Sequence, residues 1–172
     1  MRTLNACIAS ILVASSAAAS HAQDQGGLEE VTVTAQRRSQ SLQDVPIAIT
    51  AFTSEQLAAR QVFDTYDLVR NIPNLTGNNN VGVGTSSSYY IRGIGNGESI
   101  ATFDVPVGTY VDDVYIARQN QNNFSMFDVE RIEVLRGPQG TLFGRNTTGG
   151  AINIVMKKPG TERAGYVEAG IG

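Results

Sequence analysis

The first apolar block of the chain is continuous rather than periodic. Ala, Ile, Leu, Val and Ser dominate Leu4 to Ala19, Arg2 precedes them, and Ser20-His21-Ala22 closes the block with small residues. A positive start, a short apolar centre and a small-residue end describe a secretory signal peptide over residues 1–22, with cleavage expected before Gln23. Asn5 and several serines interrupt the block, which falls short of the roughly 20 apolar residues that cross a bilayer as a helix. Cys7 precedes the apolar run instead of following it, which argues against a lipid anchor. Gln23 to Gly27 is polar without periodicity and reads as a disordered leader. Leu28 to Ala35 then alternates apolar and polar residues in a short β-prone run, stranded between that leader and the polar Arg37–Gln43 stretch. Such a lone strand needs a partner, either as an edge strand of the domain that follows or by addition to the sheet of another protein.

Beyond it the periods change several times. Val45 to Phe52 is a β run whose Pro46 stands near its start, where proline is tolerated. Thr53-Ser54-Glu55-Gln56 predicts a capped helix start continued by Leu57 to Gln61. A second short helix is expected from Tyr66 to Asn71, opened by Asp64 or Thr65 and stopped by Pro73. Gly77 to Ser88 is nearly all Gly, Asn, Ser, Thr and Val and reads as an exposed loop. Tyr89 to Arg92 and Val105 to Tyr115 are strand signals, Phe124 to Asp128 a helical turn, and Val129 to Leu135 a strand. In that strand Ile132 and Val134 share one face and Arg131 and Glu133 the other. Ala151 to Met156 is the expected neighbour of this strand. Together these elements predict an α+β fold, a small mixed sheet with short helices. A last alternation, Tyr166 to Ile171, has the period of a barrel strand or of an ordinary surface strand.

Composition narrows the chemistry. The 172 residues suit one domain of ordinary size, and 18 Gly, a dozen Asn, no Trp and 7% aromatics predict a loop-rich one. With 13 basic against 16 acidic residues the net charge is −3, so nucleic acid is not an expected partner. His21 and Cys7 are the only His and Cys, which excludes a Cys/His zinc cage and an internal disulfide. Both lie in the signal region, so Ser/His or Cys/His nucleophilic catalysis is excluded as well. The glycines do not follow the phosphate-loop or dinucleotide spacing. Asp104, Asp112, Asp113 and Asp128 lack the spacing of a calcium loop and read as turn carboxylates. Glu130 and Glu133 remain a possible acid/base pair, weakened because strand alternation sends them to opposite faces. Neither an enzyme nor a bound cofactor is expected.

The order of segments, and several of the segments themselves, resemble the N-terminal part of TonB-dependent outer-membrane receptors. Glu30-Val31-Thr32-Val33-Thr34-Ala35 is similar to the family's TonB box, Asp44-Val45-Pro46 and Tyr90-Ile91-Arg92-Gly93 to its early plug strands, and Phe127 to Gly144 with Gly149 to Ile154 to its plug signature. The resemblance implies residues 23–43 as a flexible leader carrying the box at 30–35, residues 44–160 as the plug, and residues 161–172 as the start of a first barrel strand. In this family the plug fills a roughly 22-stranded barrel, loops bind a scarce nutrient, and an inner-membrane complex pulls on the TonB box.

The same resemblance assigns roles by position. Glu30 to Ala35 are expected to pair with the periplasmic domain of TonB, and Arg92 and Arg136 to latch onto glutamates of the barrel. Ligand contacts are expected in the loops Gly77–Ser88, Ile94–Thr102 and Ala117–Asn123, with Asn78, Asn79, Asn80, Ser86, Ser87, Asn96, Gln119 and Asn120 as candidates. A barrel of that size needs well over 200 residues in strands alone, so an N-terminal fragment of a receptor is expected. Its function would be energy-coupled uptake across the outer membrane, with ferric siderophore the foremost substrate and haem, cobalamin and oligosaccharides open. The alternatives are a free-standing periplasmic plug that binds TonB or a ligand, and a truncated product without transport activity.

Overall fold

The computed structural model describes residues 30–35, 37–79, 86–98, 100, 102–161 and 165. The expected signal peptide and the expected barrel strand lie outside the described residues.

The centre is a five-stranded sheet in the order β3 (Ile49–Thr53), β9 (Val129–Arg136), β10 (Gly150–Met156), β7 (Val107–Val111) and β8 (Val114–Ile116). β10 runs parallel to β7 and antiparallel to β9, and β3 runs antiparallel to β9, so the sheet is mixed as expected. Its middle strands are largely buried on both faces, the pattern of a sheet covered on two sides. Gly150, at φ +152°, lies so close to β9 that a Cβ there would stand 2.3 Å from the carbonyl oxygen of Leu135.

One face carries Phe52, Ile132, Val134, Ile152 and Ile154. Against it pack Leu57 of α1 (Ser54–Ala59), Leu68 of a 3₁₀ segment (Thr65–Arg70), and Leu75, Tyr89 and Ile91 of a second sheet. That sheet is β4 (Leu75–Asn79), β5 (Ser87–Ile91) and β6 (Ile94–Gly95), all antiparallel. Both short helices start on capping boxes, Thr53 with Gln56 and Asp64 with Asp67, which supply partners for otherwise orphaned N–H groups. The other face carries Ala51, Leu135 and Ala151. It is covered by β1 (Thr32–Val33), β2 (Gln40–Ser41), Val45 and Phe143 of α2 (Gly140–Phe143).

Two expectations need correction. Gly77 to Ser88 is not all loop: residues 77–79 pair with 87–89, with Asn79 opposite Ser87. Small side chains are what admit this pairing, since a Cβ on Gly77 would lie 2.9 Å from Val69 and Ser87 and Ser88 are buried. Nor is Phe124 to Asp128 a helical turn. Its backbone pairs with a neighbouring strip instead, through Thr65 N–H to Phe124 O and Met126 N–H to Phe63 O, so those groups have no need of local helical partners.

Candidate functional site

The lone strand of residues 30–35 is docked on the domain that follows it, over its described part. Antiparallel pairing joins Thr32 to Ser41 and Val33 to Gln40. Strand alternation turns Val33 inward, and Val33 and Ala35 are completely buried against Val45, Ala51, Tyr110, Leu135, Phe143 and Ala151.

Between these two apolar anchors, Thr34 meets a charged cluster. Its N–H donates to Oε1 of Glu133 at 2.8 Å and its hydroxyl donates to the same oxygen at 3.1 Å. Glu133 stands in the middle of β9 with no exposed surface. A carboxylate there requires a counter-charge, and Arg131, on the same face two residues away, supplies it through Nε at 2.8 Å. Arg131 also donates to the Thr34 hydroxyl at 3.2 Å and pairs with Glu130. Asn153 of β10 donates to the second oxygen of Glu133 at 3.5 Å. Arg37, just past the docked segment, donates to the carbonyl of Leu142 at 3.1 Å, pairs with Asp113 at 3.5 Å and lies over the Phe143 ring. An open groove of about 830 Å³ runs beside the segment, with Thr32, Thr34, Asp112, Glu130, Arg131 and Lys157 on its walls.

Glu133 and Arg131 were legible in sequence only as alternating polar positions. The informative signal was an ionisable residue between Ile132 and Val134, at the centre of the strand. Alternation was expected to send Glu130 and Glu133 to opposite faces, but both carboxylates pair with the one guanidinium of Arg131, beside a register shift in the β9–β10 ladder.

Arg136 ends β9, and the Arg92 side chain reaches the residue that follows it. Arg92 and Gly93 form the two-residue turn of the β5–β6 hairpin, with φ of 54° and 80°, the left-handed pair that such a turn demands. Aspartates 112 and 113 do the same between β7 and β8, with φ of 45° and 67°, which accounts for them as turn residues. A Cβ on Gly137, next to Arg136, would lie 3.6 Å from Nη1 of Arg92. Arg136 Nε is buried without an acceptor. Neither arginine forms an ion pair with a carboxylate among the described residues.

The eight expected ligand-contact residues separate. Asn78 and Asn79 are exposed on β4, Asn120 is exposed and Asn96 half-buried, while Asn80 lies outside the described residues. Ser86, Ser87 and Gln119 are buried and do not face outward. They belong to an internal polar layer in which Ser87 Oγ donates to Asn79 Oδ1 at 2.7 Å, Gln119 to the carbonyl of Asn96 at 2.9 Å, and Asn122 to the carbonyl of Ser87 at 3.4 Å. Thr65 and Tyr89 hydroxyls both donate to the carbonyl of Asn122. Burial pushes the Tyr89 phenol up to about 12, against the opposing hydrogen bonds of Thr65 and Ser87. These polar residues tie β5 to the 119–124 loop because a small hydroxyl or amide fits where an aliphatic group would leave backbone carbonyls unpaired. Among the described residues there is no cluster of three or more His, Cys, Asp or Glu able to hold a metal. No helix there is long and apolar enough to cross a membrane.

A family model, the TonB-dependent Receptor Plug Domain, matches residues 41–151. The chain is similar to a pesticin receptor of Yersinia enterocolitica, 33% identical over 149 residues that make up 87% of this chain and 21% of the receptor. It is also similar to an iron-regulated outer membrane virulence protein of Vibrio cholerae, 30% identical over 163 residues, 88% of this chain and 24% of that protein. Among solved structures, the ferric yersiniabactin uptake receptor FyuA from Yersinia pestis superposes with a TM-score of 0.59 at 32% identity, covering 66% of this chain and 17% of that one. The chain thus spans less than a quarter of the length of these curated relatives. On the family match, which takes in most of the mixed sheet and both arginines of the β9 end, the chain belongs to the TonB-dependent receptor plug domains.

Proposed function

We propose that this chain is the plug part of an outer-membrane receptor for energy-coupled nutrient uptake, with a ferric siderophore as the foremost substrate class. On this reading residues 1–22 export the chain, residues 23–43 carry the TonB box, residues 44–160 form the plug, and the chain from 161 on enters the barrel.

The observation that carries the reading is the form of residues 30–35: an extended strand with an unpaired edge, joined to the plug through two small apolar anchors and one carboxylate. This is a segment suited to backbone pairing with a strand of TonB. Arg92 and Arg136 support the rest. Two cations at this end of β9 that form no ion pair with a carboxylate among the described residues suit a surrounding wall that supplies glutamates. Phe63, Phe103, Ile100 and Val114 are exposed apolar groups, consistent with a domain that rests inside another structure. The relatives named for pesticin, iron regulation and ferric yersiniabactin favour iron-complex uptake over the other nutrients. Asn78, Asn79, Asn80, Asn96 and Asn120 remain the ligand-contact candidates.

The test is binding of the purified periplasmic domain of TonB to the full chain and to a synthetic peptide of residues 28–36. Both are expected to bind. Val31→Pro and Thr32→Pro each remove one N–H donor, from opposite edges of the strand, and at least one is expected to weaken binding tenfold or more. Equal binding by wild type and both variants would overturn strand pairing.

A further inference from the structure

The three segments expected to hold the ligand contacts are joined by hydrogen bonds into one surface. Asn122 of the 117–123 segment donates to the carbonyl of Ser87, and Gln119 of the same segment donates to the carbonyl of Asn96. Seven of the chain's dozen Asn lie in Gly77–Ser88, Ile94–Thr102 and Ala117–Asn123, whereas the charged residues there are only Glu98 and Arg118. The surface is therefore rich in amides and carries no net charge. Two of its amides are also oriented. Asn96 Oδ1 accepts from Glu98 N–H at 3.0 Å, and Asn79 Oδ1 accepts from the Ser87 hydroxyl at 2.7 Å. Asn79 is exposed and Asn96 half-buried. With the oxygen of each planar amide tied to the fold, the group it offers to a ligand is the NH2, a neutral donor.

We propose that this surface selects an uncharged ferric chelate with carbonyl-type oxygens on its exterior, the chemistry of a trihydroxamate, over a polyanionic tricatecholate. The inference rests on the uptake reading above and narrows its substrate class. Hydroxamates, as monoanions, cancel the charge of ferric iron, while catecholates, as dianions, leave the complex strongly negative. A polyanion that sheds water on this surface finds no excess of cations to offset its desolvation, and exposed Glu98 repels it. An uncharged chelate escapes that cost, and its outer oxygens accept from Asn79 and Asn96 as ordinary neutral hydrogen bonds. Both donors are held before the ligand arrives. Asn96 is fixed by Glu98 N–H on its side chain and by Gln119 on its main chain, and Asn79 by the fully buried Ser87. Donors fixed in advance lose little freedom on binding, which favours a ligand whose oxygens match their spacing.

The test is equilibrium dialysis of the full chain against ferrichrome, an uncharged ferric trihydroxamate, and against ferric enterobactin, a polyanionic tricatecholate. Ferrichrome is expected to bind about tenfold more tightly, with an affinity that added NaCl leaves unchanged because no ion pair forms. Asn96→Asp and Asn79→Asp each keep the oxygen bonded to the fold and replace the outward donor by a second oxygen. Each is expected to weaken ferrichrome binding about fivefold, with the urea midpoint unchanged because the inner bonds survive. Equal or tighter binding of the tricatecholate, or ferrichrome affinities unmoved by both substitutions, would overturn the selection and leave a plug that binds a ferric complex. Binding of neither complex would overturn ligand recognition by this surface, and with it the ligand-contact part of the uptake reading.

Discussion

The two faces of the central sheet are packed on different principles. Under β4–β6, the face built from Phe52, Ile132, Val134, Ile152 and Ile154 is covered by large aliphatic and aromatic groups from α1, the 3₁₀ segment and the second sheet. On the opposite face the cover includes the small side chains of Val33, Thr34 and Ala35, and a buried ion pair sits where that first face has aliphatic side chains. Removal of large buried side chains leaves cavities that a packed core cannot close. A short segment held by small anchors and hydrogen bonds can instead leave as a unit. One face is closed by large interlocking side chains, the other by small anchors and a hydrogen-bonded ion pair.

The sharpest way to break this comparison is to shorten one residue on each face. Ile152→Ala, at a fully buried position between β9 and β7, is expected to lower global stability by about 2–5 kcal/mol, read as a fall in the urea midpoint. Val33→Ala, equally buried, is expected to leave that midpoint nearly unchanged and to accelerate amide exchange only near residues 31–42. A global loss from Val33→Ala comparable to that from Ile152→Ala would show that the docked segment is part of the cooperative core.

Alkaline pH probes the aliphatic face selectively. Tyr89 belongs to that face, and burial raises its phenol from about 10 to about 12. The unfolded chain therefore releases this proton first, so the stabilising contribution is complete below pH 10 and is lost as pH rises towards 12. The loss is on the order of 2 kcal/mol, and Tyr89→Phe is expected to flatten this part of a stability-versus-pH curve. A curve of unchanged steepness in the variant would assign alkaline unfolding to other groups. On the docked face Tyr110 is also raised, by burial and by Tyr115, with Arg37 opposing.

The smallest expected effect is at the cap of α1. Thr53→Ala removes the side-chain acceptor for Gln56 N–H, at a cost of about 1 kcal/mol. Since Leu57 of this helix packs on the aliphatic face, the loss should appear in the urea midpoint. Maleimide modification of a thiol at buried position 35, placed by Ala35→Cys in a Cys7→Ser background, should be unaltered. Faster modification there would mean that the two faces are coupled.

Local chemistry was readable wherever a short stretch of chain satisfies itself. The Thr53–Gln56 capping box, the Asp112-Asp113 turn and the alternation of Ile132 and Val134 against Arg131 and Glu133 all follow from neighbouring residues and appear in the structure. The plug signature from Phe127 to Ile154 pointed to the family for the same reason, as a nearly continuous string of residues. What was misread involved partners distant in sequence. Gly77 to Ser88 looked too small and polar to pack, yet part of it is a strand pair buried against Tyr66, Val69 and Asn122. Ser86, Ser87 and Gln119 carry the hydrogen-bonding groups of a binding loop, yet all three are buried, and Ser87 and Gln119 bond within the domain because Asn79, Asn96 and Asn122 reach them there.

That residues 30–35 are an extended segment with alternating side chains, and that Arg92 and Arg136 stand at the ends of two strands, is readable from neighbouring residues. Backbone stereochemistry and side-chain alternation settle such features within a few residues. That this segment lies against the sheet depends on the folded chain. Thr34 and Glu133 are 99 positions apart in the chain, and a carboxylate's choice of donor depends on which groups the folded sheet leaves within 3 Å of it and out of reach of water.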